Sequence, residues 1–111
     1  VMRFNRVAAL DEMAQIAVAL GIDGRRLTRA ALADAAITEV TRLLGAIGIP
    51  PTLADLGLPA DRLDWTAEQA AGIERLIKNN PRPIGLAEMR RLVHAAYRGD
   101  PDAAAADPVL E

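Results

Sequence analysis

The chain has 111 residues, a formal net charge of -2, one histidine, no cysteine and no serine. One domain fits that length. A disulfide framework, a thiolate metal site and a cysteine or serine nucleophile are all excluded by composition.

Aromatic residues make up only 3% of the chain against 51% hydrophobic residues, so Ala, Leu, Ile and Val must build the core. That material suits close helix packing better than a pleated sheet. The first segment, Val1 to Asn5, lacks a helix-start signal and reads as the end of something that began earlier, an expected truncation. From Val7 to Leu20, the residues Leu10, Met13, Ala14, Ala17 and Leu20 recur at helical spacing, and Gly21 stops the helix. Thr28 is a fitting N-cap for a helix to Ile47, whose stripe runs through Leu32, Ala36, Val40, Leu43, Leu44 and Ile47. Gly48 and Pro50-Pro51 end it.

Thr52 to Leu56 reads as one turn closed by Gly57, and Ala60 to Leu63 as a short helical stretch. Thr66 and Gln69 have capping-box spacing, predicting a helix that turns Ala70, Ile73, Leu76 and Ile77 inward and stops at Asn79-Asn80. Pro81-Arg82-Pro83 then forces an extended turn. A last helix is predicted over Leu86 to Arg98, with Leu86, Met89, Leu92, Val93, Ala96 and Tyr97 on one side and Gly99 and Pro101 as its stop. No stretch alternates like a strand. The expectation is an all-α compact bundle of about five helices over 1–99, followed by a mobile tail over 100–111.

No apolar run approaches the roughly 18 residues that span a bilayer, and nothing at the N-terminus reads as a signal peptide. A cysteine-free chain is compatible with a reducing cytosol, and a cytoplasmic location is expected. With a pI near 5.4 the chain lacks the basic character of a nucleic-acid-binding domain. Arg25-Arg26 and Arg90-Arg91 are isolated pairs, best explained as solvated helix faces.

His94 sits mid-helix with Arg90 and Arg98 at the i±4 positions, where cations would repel a metal, so it reads as a structural or surface histidine. Asp11-Glu12, Asp34 with Glu39, and Asp61 with Asp64 fit helix N-termini or solvent faces at least as well as acid–base pairs. No glycine-rich phosphate loop is present. Catalytic, cofactor-binding and metal-ligating residues are therefore expected to be absent from the chain. The most unusual local feature is Asn79-Asn80-Pro81-Arg82-Pro83, either a stiff connection after a helix C-cap or a shaped wall beside a ligand.

Four motifs come in a recognisable order: Val1-Met2-Arg3-Phe4-Asn5, Ile16-Ala17 to Leu20-Gly21-Ile22, Gly48-Ile49-Pro50-Pro51 with Leu53 and Leu56-Gly57-Leu58, and Asn80-Pro81-Arg82-Pro83. From Val1 to about Tyr97 the chain resembles the C-terminal helical domain of iron-containing alcohol dehydrogenases, of the dehydroquinate synthase-like fold. Maleylacetate reductases and hydroxyacid–oxoacid transhydrogenases share that architecture. The resemblance implies a two-domain enzyme whose N-terminal half binds NAD(P) and whose helical half holds iron or zinc through one aspartate and three histidines. Those ligands and the cofactor loop would lie upstream of Val1, and His94 matches none of them. What this piece would add is packing behind the metal site and part of the cleft for a small alcohol or carbonyl substrate, with Phe4, Asn79, Asn80 and Arg82 as wall candidates. Alone it would be inactive, with the missing NAD(P)-binding half as its partner and a homo-oligomer possible. A free-standing helical interaction module is the alternative, and a helical nucleic-acid-binding domain a third reading that rests only on Arg25-Arg26.

Overall fold

The computed structural model describes residues 1–105. Among them are seven α-helices and no strand: α1 (Met2–Asn5), α2 (Leu10–Ala19), α3 (Arg29–Ala46), α4 (Leu63–Ala71), α5 (Glu74–Ile77), α6 (Leu86–Arg98) and α7 (Pro101–Ala105), with a 3-10 turn at Ala60–Arg62 before α4. The excess over the predicted five comes from short helices. Val1 to Asn5 is itself one turn of helix, closed by a bond from the Asn5 amide to the Val1 carbonyl.

Two regions make up the fold. In the first, α2 and α3 form an antiparallel hairpin around Ala9, Met13, Ala33 and Ile37. Small alanines let the two backbones approach closely, and the Thr28 hydroxyl accepts from the Ala31 amide to cap α3 as its spacing predicts. In the second region α4 packs on α6 through Leu63, Ala67 and Val93, flanked by Leu53, Leu58, Met89 and Tyr97. The turn after α3 is tied to this pair by the Leu53 amide donating to the Ala96 carbonyl. The segment around α1 touches both: Arg3 and Arg6 bond Asp34 of α3, while Phe4 is fully buried among Leu92, Ala95 and Ala104.

Three expectations are corrected. Of the predicted α3 stripe only Ala36 is buried, beside Ala33 and Ile37, which the stripe left out, while Leu43, Leu44 and Ile47 are exposed. The cause is length. At about 1.5 Å per residue, α3 with 18 residues outruns the 10 of α2 by roughly 12 Å. Thr66 and Gln69 form no capping box: α4 already starts at Leu63, and the Thr66 hydroxyl donates to the Arg62 carbonyl within the first turns. Leu63 and Ala67 face inward instead, and the helix breaks at Gly72, leaving Ile73 and Leu76 exposed.

The segment expected as a mobile tail includes α7, whose Ala104 is buried against Phe4; residues 106–111 lie outside the described residues. Gly99 makes α7 possible. Its φ of 75° is a left-handed conformation, and a Cβ there would sit 2.9 Å from Thr52 Cγ2, so only glycine turns the chain back at this point.

Candidate functional site

Of the four wall candidates, the structure brings three together and leaves one apart. Phe4 arrives on α1, while Asn80 and Arg82 come from the loop between α5 and α6. Asn5, beside Phe4, joins them. Its Nδ2 donates to Asn80 Oδ1 at 2.8 Å, and Asn80 Nδ2 donates back to Asn5 Oδ1 at 2.7 Å. Asn80 Nδ2 also donates to the Arg82 carbonyl at 2.6 Å, bridging the loop's own backbone. Arg82 Nη1 donates to the Phe4 carbonyl at 2.8 Å, and its guanidinium carbon stands 4.0 Å from the Phe4 ring centroid.

The consequences follow from burial. Asn5 is only 7% exposed, so its amide needs its partner: an unpaired buried polar group costs about 1–3 kcal/mol. Arg82 over the ring adds a cation–π contact of about 0.5–2 kcal/mol. With φ fixed at Pro81 and Pro83, the loop reaches this geometry with little freedom to lose. Phe4 is fully buried beneath the loop and also borders the pocket beside it. Asn79 points elsewhere, donating to the Arg75 carbonyl as an exposed cap of α5.

Next to this loop lies a pocket of about 330 Å³, bordered by Arg3, Arg6, Asp34, Arg82 and Asp102. Arg3 and Arg6 both bond Asp34, at 3.0 and 2.6 Å. The sequence placed Asp34 with Glu39 and gave it no basic partner, although Arg3 and Arg6 at i,i+3 share one side of the chain. Three more of the carboxylates weighed in the sequence pair with bases: Asp11 with Arg29, Glu39 with Arg42, and Asp64 with His94 Nε2 at 3.1 Å. His94 thus has a carboxylate partner on α4 that inspection of its own helix missed.

The arginine pairs separate. Arg25 is exposed beside Asp23, and Arg90 faces Glu68 at 3.8 Å. Arg91 departs from the solvated-face reading: its three guanidinium nitrogens are buried, with no hydrogen-bond partner among the described residues.

Residues 1–97 match the Fe-containing alcohol dehydrogenase family, C-terminal. The chain belongs to that family. It is 30% identical over 99 residues to the long-chain-alcohol dehydrogenase 1 of Geobacillus thermodenitrificans (strain NG80-2), an alignment covering 89% of this chain and 25% of the relative. It is 28% identical over 85 residues to the methanol:N,N-dimethyl-4-nitrosoaniline oxidoreductase of Mycobacterium sp. (strain DSM 3803 / JC1), covering 76% of this chain and 20% of that protein. The chain therefore spans a quarter or less of the length of these relatives. No solved structure matches it significantly.

The family name implies iron. Among the described residues no three His, Cys, Asp or Glu side chains come together, and His94 meets the single carboxylate of Asp64. That arrangement does not fit an iron site, which takes several nitrogen and oxygen donors.

Proposed function

We propose that this chain is the C-terminal helical part of a metal-dependent, NAD(P)-linked alcohol dehydrogenase-like oxidoreductase, inactive alone, that packs behind the metal site and supplies part of the substrate cleft. The family membership supports the enzyme class. The observation that carries the cleft role is the clasp in which Asn5 and Asn80 exchange amide bonds while Arg82 sits over Phe4. It holds a proline-stiffened loop at the rim of a 330 Å³ pocket, the kind of rigid support that positioning a substrate demands.

The partner in this reading is the NAD(P)-binding half, and the substrate a small alcohol or carbonyl compound. The residues here neither bind the cofactor nor ligate the metal; they hold the shape of one wall. The test is Arg82→Ala in the longer enzyme. The expected result is a drop in kcat/KM that differs between substrates of different size, because a displaced wall changes fit more than chemistry. An unchanged kcat/KM for every substrate tried would sink the cleft-wall role.

A second reading is a free-standing helical interaction module without activity. The exposed apolar end of α3 favours it, since such a surface drives association. The two readings separate on the size of the polypeptide that carries this sequence in its native cell, read by mass spectrometry of the intact protein.

A further inference from the structure

Five charged side chains border the pocket beside the clasp: Arg3 from α1, Arg6 just after it, Asp34 from α3, Arg82 from the proline loop and Asp102 from α7. Their charges do not balance. Three guanidinium groups face two carboxylates, and one of these, Asp34, is already shared between Arg3 and Arg6. Arg82 forms no ion pair among the described residues, and only its Nη1 is engaged, by the Phe4 carbonyl. Arg3 Nε is buried and has no hydrogen-bond partner there either. Planar guanidinium forks of this kind match the oxygens of a phosphate group, and several together match it best. Stacking on Phe4 between two prolines holds Arg82 in place before any ligand arrives, so little freedom is lost on binding.

Asp102 stands on an element with little to hold it. α7 has five residues, is capped by the Asp100 carboxylate accepting from the Ala103 amide at 3.3 Å, and buries only Ala104. The Asp102 side chain is exposed and bonds no base among the described residues, so it faces the arginines across the pocket without touching them. With α7 in place the pocket carries one excess positive charge; with Asp102 withdrawn it carries two. A phosphate group, with a charge of roughly minus two at neutral pH, neutralises the second state and is repelled by Asp102 in the first. We propose that Arg3, Arg6 and Arg82 form a binding site for a phosphate group, and that Asp102 on α7 is a built-in gate that opposes its entry. The proposal rests on the reading of this pocket as part of a functional cleft, but it concerns what the pocket holds and not the reaction.

The test titrates inorganic phosphate into the full chain at pH 8 and constant ionic strength, and reads the dissociation constant from the rise of the unfolding midpoint. Phosphate should raise the midpoint where acetate at the same ionic strength does not. Arg6→Gln should weaken phosphate binding about fivefold and Asp102→Asn should tighten it about fivefold, the size of one charge interaction near water. Arg25→Gln, an exposed arginine paired with Asp23, should leave it unchanged. The gain in Asp102→Asn keeps the test decisive, because a misfolded variant does not bind more tightly. Glycerol phosphate binding more tightly than inorganic phosphate identifies an ester as the ligand, and equal binding identifies the free ion. Acetate acting as strongly as phosphate, or Asp102→Asn binding no better than the parent chain, would overturn the proposal. Turnover separates it from the cleft reading. Phosphate bound as expected, with kcat/KM unchanged in Arg82→Ala of the longer enzyme, removes the cleft wall alone. An altered kcat/KM in that variant with no phosphate effect removes this site alone.

Discussion

The α2–α3 hairpin and the α4–α6 pair are built from the same kinds of residue, yet only one is complete. α4 and α6 have 9 and 13 residues, and their contact is filled by Leu63, Ala67 and Val93 with bulky neighbours on both sides. The hairpin pairs 10 residues with 18, rests on an alanine-rich seam, and leaves the far end of α3 bare. More nearly equal lengths let a helix pair bury more of its own stripe. Unequal lengths leave a stripe that only something else can cover, and the sequence pattern looks the same in both cases.

The largest expected effect is at the segment around α1 that touches both regions. Phe4→Ala removes the one large side chain that is fully buried among the described residues and the ring beneath Arg82, and should cost about 3–5 kcal/mol in urea unfolding. If the regions depend on this joint, the transition should also broaden or split when followed by probes on each half. A direct measure of the contrast comes from one chemical change made twice. Leu92→Ala, at a buried site, should cost about 2–5 kcal/mol. Leu44→Ala in the 111-residue chain should stay within about 0.5 kcal/mol, because that side chain is already half in water. Equal losses would mean that the overhang is covered within the chain itself.

Asn80→Ala should cost about 1–3 kcal/mol by leaving the buried Asn5 amide unpaired. In a double-mutant cycle with Asn5→Ala, much of that loss should disappear. The smallest effect is with pH. Hydrogen bonds from Arg25 and Arg42 hold the Asp23 and Glu39 carboxyls below their ordinary values. A depressed folded-state pKa stabilises the fold above the unfolded pKa, and the contribution disappears as pH falls through the folded one. Thermal unfolding between pH 6 and pH 3 should therefore show a slight loss from each pair, absent in Asp23→Asn and Glu39→Gln, and small because each pair has at least one partner open to water.

Elements whose signals are local were legible in the sequence. Thr28 caps α3 and Gly99 ends α6 because a cap acts within one turn. The α6 bounds, Leu86 to Arg98, match the prediction. Burial was less legible, since periodicity marks a face without saying whether anything lies opposite; Leu43, Leu44 and Ile47 were placed inside for that reason. The Thr66–Gln69 spacing misled because Leu63 and Ala67 already define an inward face one turn earlier. At the candidate site, the proline loop drew attention to Asn80 and Arg82. Their partners lie 75 and 78 positions away in Asn5 and Phe4, a distance over which local spacing carries no information. Asp34 and Asp64 were hidden for the same reason, each bonding a base from another element.

The turn at Gly99 has a consequence for the chain's descent. The segment shared with the family ends at residue 97, yet Ala104, which closes over Phe4, lies seven positions beyond it. A residue beyond the matched segment thus helps to close over a side chain within it. A relative that diverges after the counterpart of Tyr97 must roof the same ring with other material or carry a smaller side chain at that place. Grafting the first 97 residues onto such a relative would carry the ring across without its roof.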